Sequence, residues 1–136
     1  MAKTSKTEYL GNLRTEAVHL RSGNKVITDA PIDNNGKGEA FSPTDLVATA
    51  LSSCMITLMG IGANNHDFVL GPARAEIEKI MGSNPRRIQE VVVQIEIEDT
   101  GYSDKQKAIL ETAAINCPVA KSLSTDLVQT VSFRYV

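Results

Sequence analysis

Residues Ser42 to Ala63, SPTDLVATALSSCMITLMGIGA, form the stretch around which the chain is built. The Ser-Pro start reads as a helix N-terminus. The Ser42 hydroxyl can cap free backbone N–H groups, Pro43 has no N–H to lose at the first helical position, and Asp45 complements the positive end of the helix dipole. Leu46, Val47, Leu51, Met55, Ile56, Leu58, Met59 and Ile61, with Ala48 and Ala50 among them, then fall on every side of the helix. A helix apolar all round is buried, either in a core or in a membrane. The unbroken apolar run is short of the roughly 20 residues a membrane span needs. Thr49, Ser52, Ser53 and Thr57 also interrupt it, so a buried core helix is expected. Gly60 and Gly62 loosen its end, and Cys54 sits near its middle.

The 136 residues are 42 % hydrophobic and 22 % charged. That is enough for one domain with a core and little surplus, so a single domain over residues 1–136 is expected. The formal charge of −2 leaves no basic footprint, which argues against nucleic acid as a partner. The polar, basic start MAKTSKTE lacks the apolar region of a secretory signal, so the cytoplasm is the expected location and no membrane partner is expected. There the two cysteines are thiols at rest. With His19 and His66 as the only histidines and no closely spaced cysteine pair, the chain offers no ligand set for structural zinc, and no metal or resident cofactor is expected.

Working outward from the helix, residues 4 to 32 read as an N-terminal meander. Tyr9 and Leu10 precede a Gly11-Asn12 turn, Leu13 to Leu20 follows, and Ser22-Gly23-Asn24 leads into Lys25 to Thr28. Asp29 to Ala40, DAPIDNNGKGEA, is rich in turn residues and has no period, so it reads as a loop. After the helix, Pro72 to Met81 and the alternating Val91, Val93, Ile95 and Ile97 form a hairpin across Gly82-Ser83-Asn84-Pro85. Ser103-Asp104 starts a second helix running to Asn116, and Pro118 opens a short third one, Val119 to Leu123, with Cys117 beside its N-terminus. Leu127 to Val136 alternates as a last strand. The order βββ-α-ββ-α-α-β, with helices among antiparallel strands, is an α+β domain.

One small sheet has little material to cover a helix that is apolar on all sides. A second copy of the chain packing helix against helix would supply it, so an intimate homodimer is expected. The alternative is a monomer whose own sheets wrap the helix.

Thiol chemistry needs a thiolate, access for an oxidant and usually a second thiol to reduce the product. Cys54 by itself reads first as a small apolar core residue, and Cys117 is what makes thiol chemistry the competing reading. Cys117 lies beside a helix N-terminus, where aligned amides lower a thiol's pKa, or else serves as a packing residue in a turn. The pair suits an attacking and a resolving thiol if folding brings their Cα atoms within roughly 4.4–6.8 Å. Spacing alone leaves that open.

Ser42-Pro43-Thr44-Asp45-Leu46 followed by Ala50-Leu51-Ser52-Ser53-Cys54, together with Asn116-Cys117-Pro118-Val119-Ala120-Lys121-Ser122-Leu123, closely resembles the two signature segments of the OsmC/Ohr family, the osmotically inducible and organic hydroperoxide resistance proteins. The element order fits across essentially the whole chain. The resemblance implies an intertwined homodimer with active sites at the subunit interface, and thiol-dependent reduction of hydroperoxides, preferentially organic ones. It makes Cys54 the peroxidatic thiol and Cys117 the resolving one, with a Cys54–Cys117 disulfide restored by an external dithiol reductant.

The chain departs from that family at one point. Family peroxidases hold the thiolate with an arginine and with a glutamate directly after the proline that starts the helix; here that position is Thr44. A neutral hydroxyl cannot orient an arginine by charge. Asp45, about 100° further round the helix, and Glu39 in the preceding loop are the candidate substitutes. Arg14 is the first candidate arginine and Arg21 the second; His19 and Lys121 are weaker candidates that read as solvent-facing. The leading function is therefore a cysteine-based hydroperoxide reductase. A non-peroxidatic protein of the same fold, binding a small acyl or aromatic ligand in an apolar interface pocket, is the alternative. A purely structural stress protein is the third, and the two matched cysteine contexts argue against it.

Overall fold

The computed structural model describes residues 2–136, which divide into two compact units, one up to Leu46 and the other Val47–Val136. The element order is β1 (Ser5–Gly11), β2 (Arg14–His19), β3 (Lys25–Asp29), α1 (Pro43–Asn65), β4 (Ala73–Gly82), β5 (Arg87–Ile97), α2 (Asp104–Ile115), α3 (Pro118–Ser122) and β6 (Val128–Tyr135). This is the expected α+β order. A 3-10 turn at Ile32–Asn34 interrupts the loop between β3 and α1.

In the N-terminal unit β1, β2 and β3 form an antiparallel sheet in that order. Its first turn is tight. Gly11, Asn12 and Leu13 have φ of 87°, 53° and 63°, all left-handed. For a leucine that conformation costs about 1–2 kcal/mol. It is held by the Leu13 N–H donating to the Tyr9 hydroxyl at 3.2 Å and the Leu13 carbonyl accepting from the Ala30 N–H at 3.0 Å. The segment after β3 folds back on itself: Gly36 N–H donates to the Pro31 carbonyl and Gly38 N–H to the Ala30 carbonyl. A Cβ at Gly36 would lie 1.7 Å from the Ala30 oxygen, so only glycine fits this approach.

In the C-terminal unit β4, β5 and β6 form the second sheet, and one core joins it to all three helices. Val91, Val93, Ile95 and Ile97 of β5 are buried, as their alternation requires, and meet Leu51, Met55 and Met59 of α1 and Leu110 and Ala114 of α2 in that core. Gly62 lets α1 approach α2 closely, since a Cβ there would sit 3.2 Å from that of Ala113. Ser103 and Gln106 form a reciprocal capping box at the start of α2. Tyr135 of β6 donates its hydroxyl to Glu111 of α2 at 2.9 Å. Its ring stacks edge-on with Tyr102.

Two expectations change. The strands are not all antiparallel: β6 pairs parallel to β5, with Glu90 opposite Val128 and Ile97 opposite Tyr135. A parallel neighbour needs a crossover of a dozen or more residues, and the segment carrying α2 and α3 supplies it. Nor is α1 sealed on every side. Ala48, Leu51, Ser52, Met55, Met59 and Ala63 are buried, while Val47 and Ile61 stay 38 % and 46 % exposed. At 23 residues α1 is long and apolar enough to cross a membrane by length and composition, more so than the broken run suggested. A core helix passes the same test, and one side of α1 lies in the core of the C-terminal unit.

Candidate active site

The thiols lie together in the C-terminal unit. Cys54 is in the middle of α1, partly exposed; Cys117 is buried as the N-cap of α3; both are free. Asn116-Cys117-Pro118 produces this placement locally. Asn116 ends α2 by donating its side-chain amide to the Thr112 carbonyl at 2.9 Å, and Pro118 starts α3 where a missing N–H costs nothing. Cys117 between them caps α3, its sulfur accepting from the Ala120 N–H at 3.4 Å. The Cys54 thiol is close enough to act on the Cys117 proton. Folding thus brings together two cysteines about sixty residues apart.

The electrostatics at Cys117 run against expectation. A helix N-terminus lowers a thiol pKa, and the Ala120 N–H pulls that way, but burial is the larger effect and Cys54 adds to it, so the Cys117 pKa is raised. A five-residue helix contributes little dipole, whereas a desolvated thiolate loses most of its hydration. Cys117 is therefore held as a neutral, protected thiol, and the partly exposed Cys54 is the one an oxidant can meet. Lys121, one turn further along α3, is exposed.

The N-terminal unit holds the charged candidates. Arg14, the first residue of β2, lies directly opposite Asp29 at the end of β3. It donates Nε–H and Nη2–H to the two carboxylate oxygens of Asp29, each at 2.7 Å. The Asp29 side chain is only 1 % exposed against 36 % for Arg14. Asp29 also accepts the Glu39 backbone N–H at 3.2 Å, whereas the Glu39 carboxylate, exposed, stands 3.7 Å from Arg14. Glu39 is thus a secondary partner, and Asp29, the last residue of β3 rather than the first of the loop, is the principal one. A signal existed: extending the hairpin outward from Ser22-Gly23 pairs Val18 with Lys25 and Arg14 with Asp29.

Asp45 is occupied elsewhere. It accepts the Ser42 N–H at 2.9 Å while its own N–H donates to the Ser42 hydroxyl at 3.1 Å, which makes it part of the α1 cap. Thr44 shares a hydrogen bond with Ser42 at 3.2 Å. Arg21 and His19 lie at the exposed far end of β2, His19 bonded to Ser22 at 2.6 Å, so neither joins the Arg14 cluster. On the opposite face of the sheet from Arg14, as strand alternation requires, Tyr9, Thr15 and Thr28 line a cavity of about 330 Å³ with Leu13, Pro43 and Thr44.

The OsmC-like protein family matches residues 36–132, a span that includes both cysteines. The chain belongs to the OsmC-like family. Among solved structures, an osmotic stress induced and detoxification response protein from Psychrobacter arcticus 273-4 is 48 % identical, with 98 % of this chain and 97 % of that one covered at a TM-score of 0.92. Two more distant OsmC-like structures share the fold. One is an organic hydroperoxide resistance protein OsmC from Legionella pneumophila, at 18 % identity, TM-score 0.76 and 98 % of each chain. The other is an organic hydroperoxide resistance protein from Vibrio cholerae O1 biovar eltor str. N16961 with captopril in one of its active sites. It is 15 % identical at a TM-score of 0.74, covering 98 % of this chain and 92 % of that one. No functionally curated protein matches the sequence.

The ion pair makes this OsmC-like chain acid-sensitive in a defined way. The Arg14 hydrogen bonds, working against burial, hold the Asp29 carboxyl below its ordinary value. A depressed carboxylate contributes stability that is present above the unfolded pKa of about 3.9 and is lost as pH falls through the folded value. Urea unfolding followed by circular dichroism should therefore find Asp29→Asn less stable than wild type at pH 7, and the gap should shrink below about pH 4. An equal gap at pH 7 and pH 3 would show that the charge is not involved.

Proposed function

We propose that this protein reduces hydroperoxides, preferentially organic ones, with Cys54 as the attacking thiol and Cys117 as the resolving one. The observation that carries the reading is the neighbouring pair of free thiols in an OsmC-like chain, one partly exposed on α1 and the other buried and capping α3. The Cys54 thiolate attacks the terminal peroxide oxygen, the O–O bond breaks, and an alkoxide leaves to be protonated to the alcohol. Cys117 then attacks the Cys54 sulfenic acid, forming the disulfide and releasing water; an external dithiol restores both thiols and is itself oxidised. No resident cofactor is required. Arg14, held by a buried carboxylate, is the proposed cation for the anions of this sequence, and Arg21, in an exposed turn, is set aside. Reduced thiols at rest fit a cytoplasmic location.

The unit of function is proposed to be a homodimer. Val47, Ala50, Thr57 and Ile61 are exposed along α1 at steps of three, seven and four, the spacing of a helix–helix seam, while Cys54 at the edge of that side packs in part against the core.

The test is a free-thiol count by mass spectrometry after one equivalent of tert-butyl hydroperoxide, compared with hydrogen peroxide. Loss of two thiols per chain, with a Cys54–Cys117 bridge mapped by digestion and faster with the organic peroxide, is the expected result. Survival of both thiols in excess oxidant while the fold persists sinks the proposal. The second reading, a binder of small acyl or aromatic molecules, then takes its place, favoured by the largely apolar cavity beside Tyr9 and Thr44.

A further inference from the structure

Gln129 breaks the pattern of its strand. It shares the inward side of β6 with Val131, Phe133 and Tyr135 and lies opposite the fully buried Val91 of β5, while its apolar neighbour Val128 is 52 % exposed. An amide turned toward a core is costly unless it is hydrogen-bonded. Gln129 meets that need on α3, where its Nε2–H donates to the Ala120 carbonyl at 3.0 Å. Only the amide nitrogen can face a carbonyl, so the bond also fixes which way the side chain is turned. The peptide group it grips is tied directly to Cys117. Its N–H, that of Lys121, donates to the Cys117 carbonyl at 3.1 Å, and the Ala120 N–H donates to the Cys117 sulfur at 3.4 Å. One side chain on β6 thus anchors the turn that closes on both the backbone and the sulfur of Cys117.

By itself α3 cannot hold that place. Its five residues are below the roughly 12 at which a helix begins to persist alone, so its position comes from tertiary contacts. Ala120, Val119 and Leu123 pack against the core, but such contacts are non-directional. Among the described residues, the Gln129 bond is the one side-chain hydrogen bond that ties α3 to another element. We infer that Gln129 is a positioning residue for the second half of the proposed reaction, holding the Cys117 sulfur beside Cys54 so that the disulfide closes before a second peroxide arrives. In that step the Cys117 sulfur bonds to the Cys54 sulfur, the S–O bond of the sulfenic acid breaks, and the hydroxide leaves as water with the Cys117 proton. Cys117 is oxidised as the sulfenic sulfur is reduced. A disulfide tolerates little error in distance or dihedral, and a misplacement of about 1 Å costs on the order of 100-fold in rate. The first step uses the Cys54 sulfur on α1, to which Gln129 makes no hydrogen bond. Gln129 touches no reacting atom, and the inference rests on the hydroperoxide reading.

The two steps can be timed separately. Gln129→Leu and Gln129→Met both keep a side chain of similar volume and remove the donor, and either serves if the other fails to fold. Wild type and variants are mixed with tert-butyl hydroperoxide in a quenched-flow experiment. Cys54 sulfenic acid is trapped with dimedone, and the Cys54–Cys117 disulfide is counted by intact mass. Oxidation of Cys54 is expected within twofold of wild type, disulfide closure about 10–100-fold slower, and sulfinic acid at Cys54 should build up in excess peroxide. A merely structural Gln129 lowers the denaturation midpoint and leaves the ratio of the two rates unchanged, which overturns the inference. Disulfide closure within twofold of wild type in a folded variant overturns it as well. A wild type whose thiols ignore the peroxide is a separate result, which sinks the hydroperoxide reading and this one with it.

Discussion

Cys54→Ser is expected to abolish hydroperoxide consumption, a loss of roughly 10³-fold or more, as removal of a nucleophile does in enzymes that work through a covalent intermediate. The serine keeps nearly the same volume on a partly exposed face of α1, so the fold should be untouched. Cys117→Ser should behave differently. The first equivalent of peroxide is still consumed, because Cys54 remains, but the sulfenic acid has no neighbour to condense with. One thiol is lost per chain instead of two, turnover with a dithiol slows, and over-oxidised Cys54 accumulates on prolonged exposure. The asymmetry follows from burial: Cys117 is sealed and held protonated, so an oxidant meets Cys54 first. Stopped-flow peroxide consumption with intact-mass analysis of both variants checks this. Equal first-turnover rates in Cys54→Ser and wild type would reverse the roles or dismiss them.

The two sides of α1 should respond oppositely to substitution. Leu51→Ala removes a fully buried side chain from the core shared with β5 and α2, and should cost about 2–5 kcal/mol of unfolding free energy. Ile61→Glu alters a side chain that is 46 % exposed in the single chain. If the chain were a working monomer, that change would be almost silent. In the proposed homodimer the new carboxylate meets the facing helix without a partner, and desolvating a charge costs several kcal/mol, so dimer affinity should fall by about 100-fold or more. Sedimentation across a concentration series reads the second effect and chemical denaturation the first. A wild type that sediments as a monomer at all concentrations ends the homodimer proposal.

Much of the fold is local, and local features are legible in a chain. The Ser42-Pro43 cap, the β5 alternation from Val91 to Ile97, the Ser103 capping box and the Cys117-Pro118 helix start each depend on neighbours within one turn or one strand, and each element lies where its residues indicate. The family, too, is written in short segments around Cys54 and Cys117, because a helix N-terminus and a capping cysteine are local chemistry. The tertiary structure decided what depends on distant residues. Strand direction at β6 depends on where a crossover returns the chain, which alternation cannot express because parallel and antiparallel strands share a period of two. The carboxylate for Arg14 was hidden because Asp29 opens a run of loop residues, and only the register across β2 and β3 makes it a partner. The sign of the shift at Cys117 turned on burial, which sums atoms from α1, β5, α2 and α3 and so outweighs the helix terminus beside it in the chain.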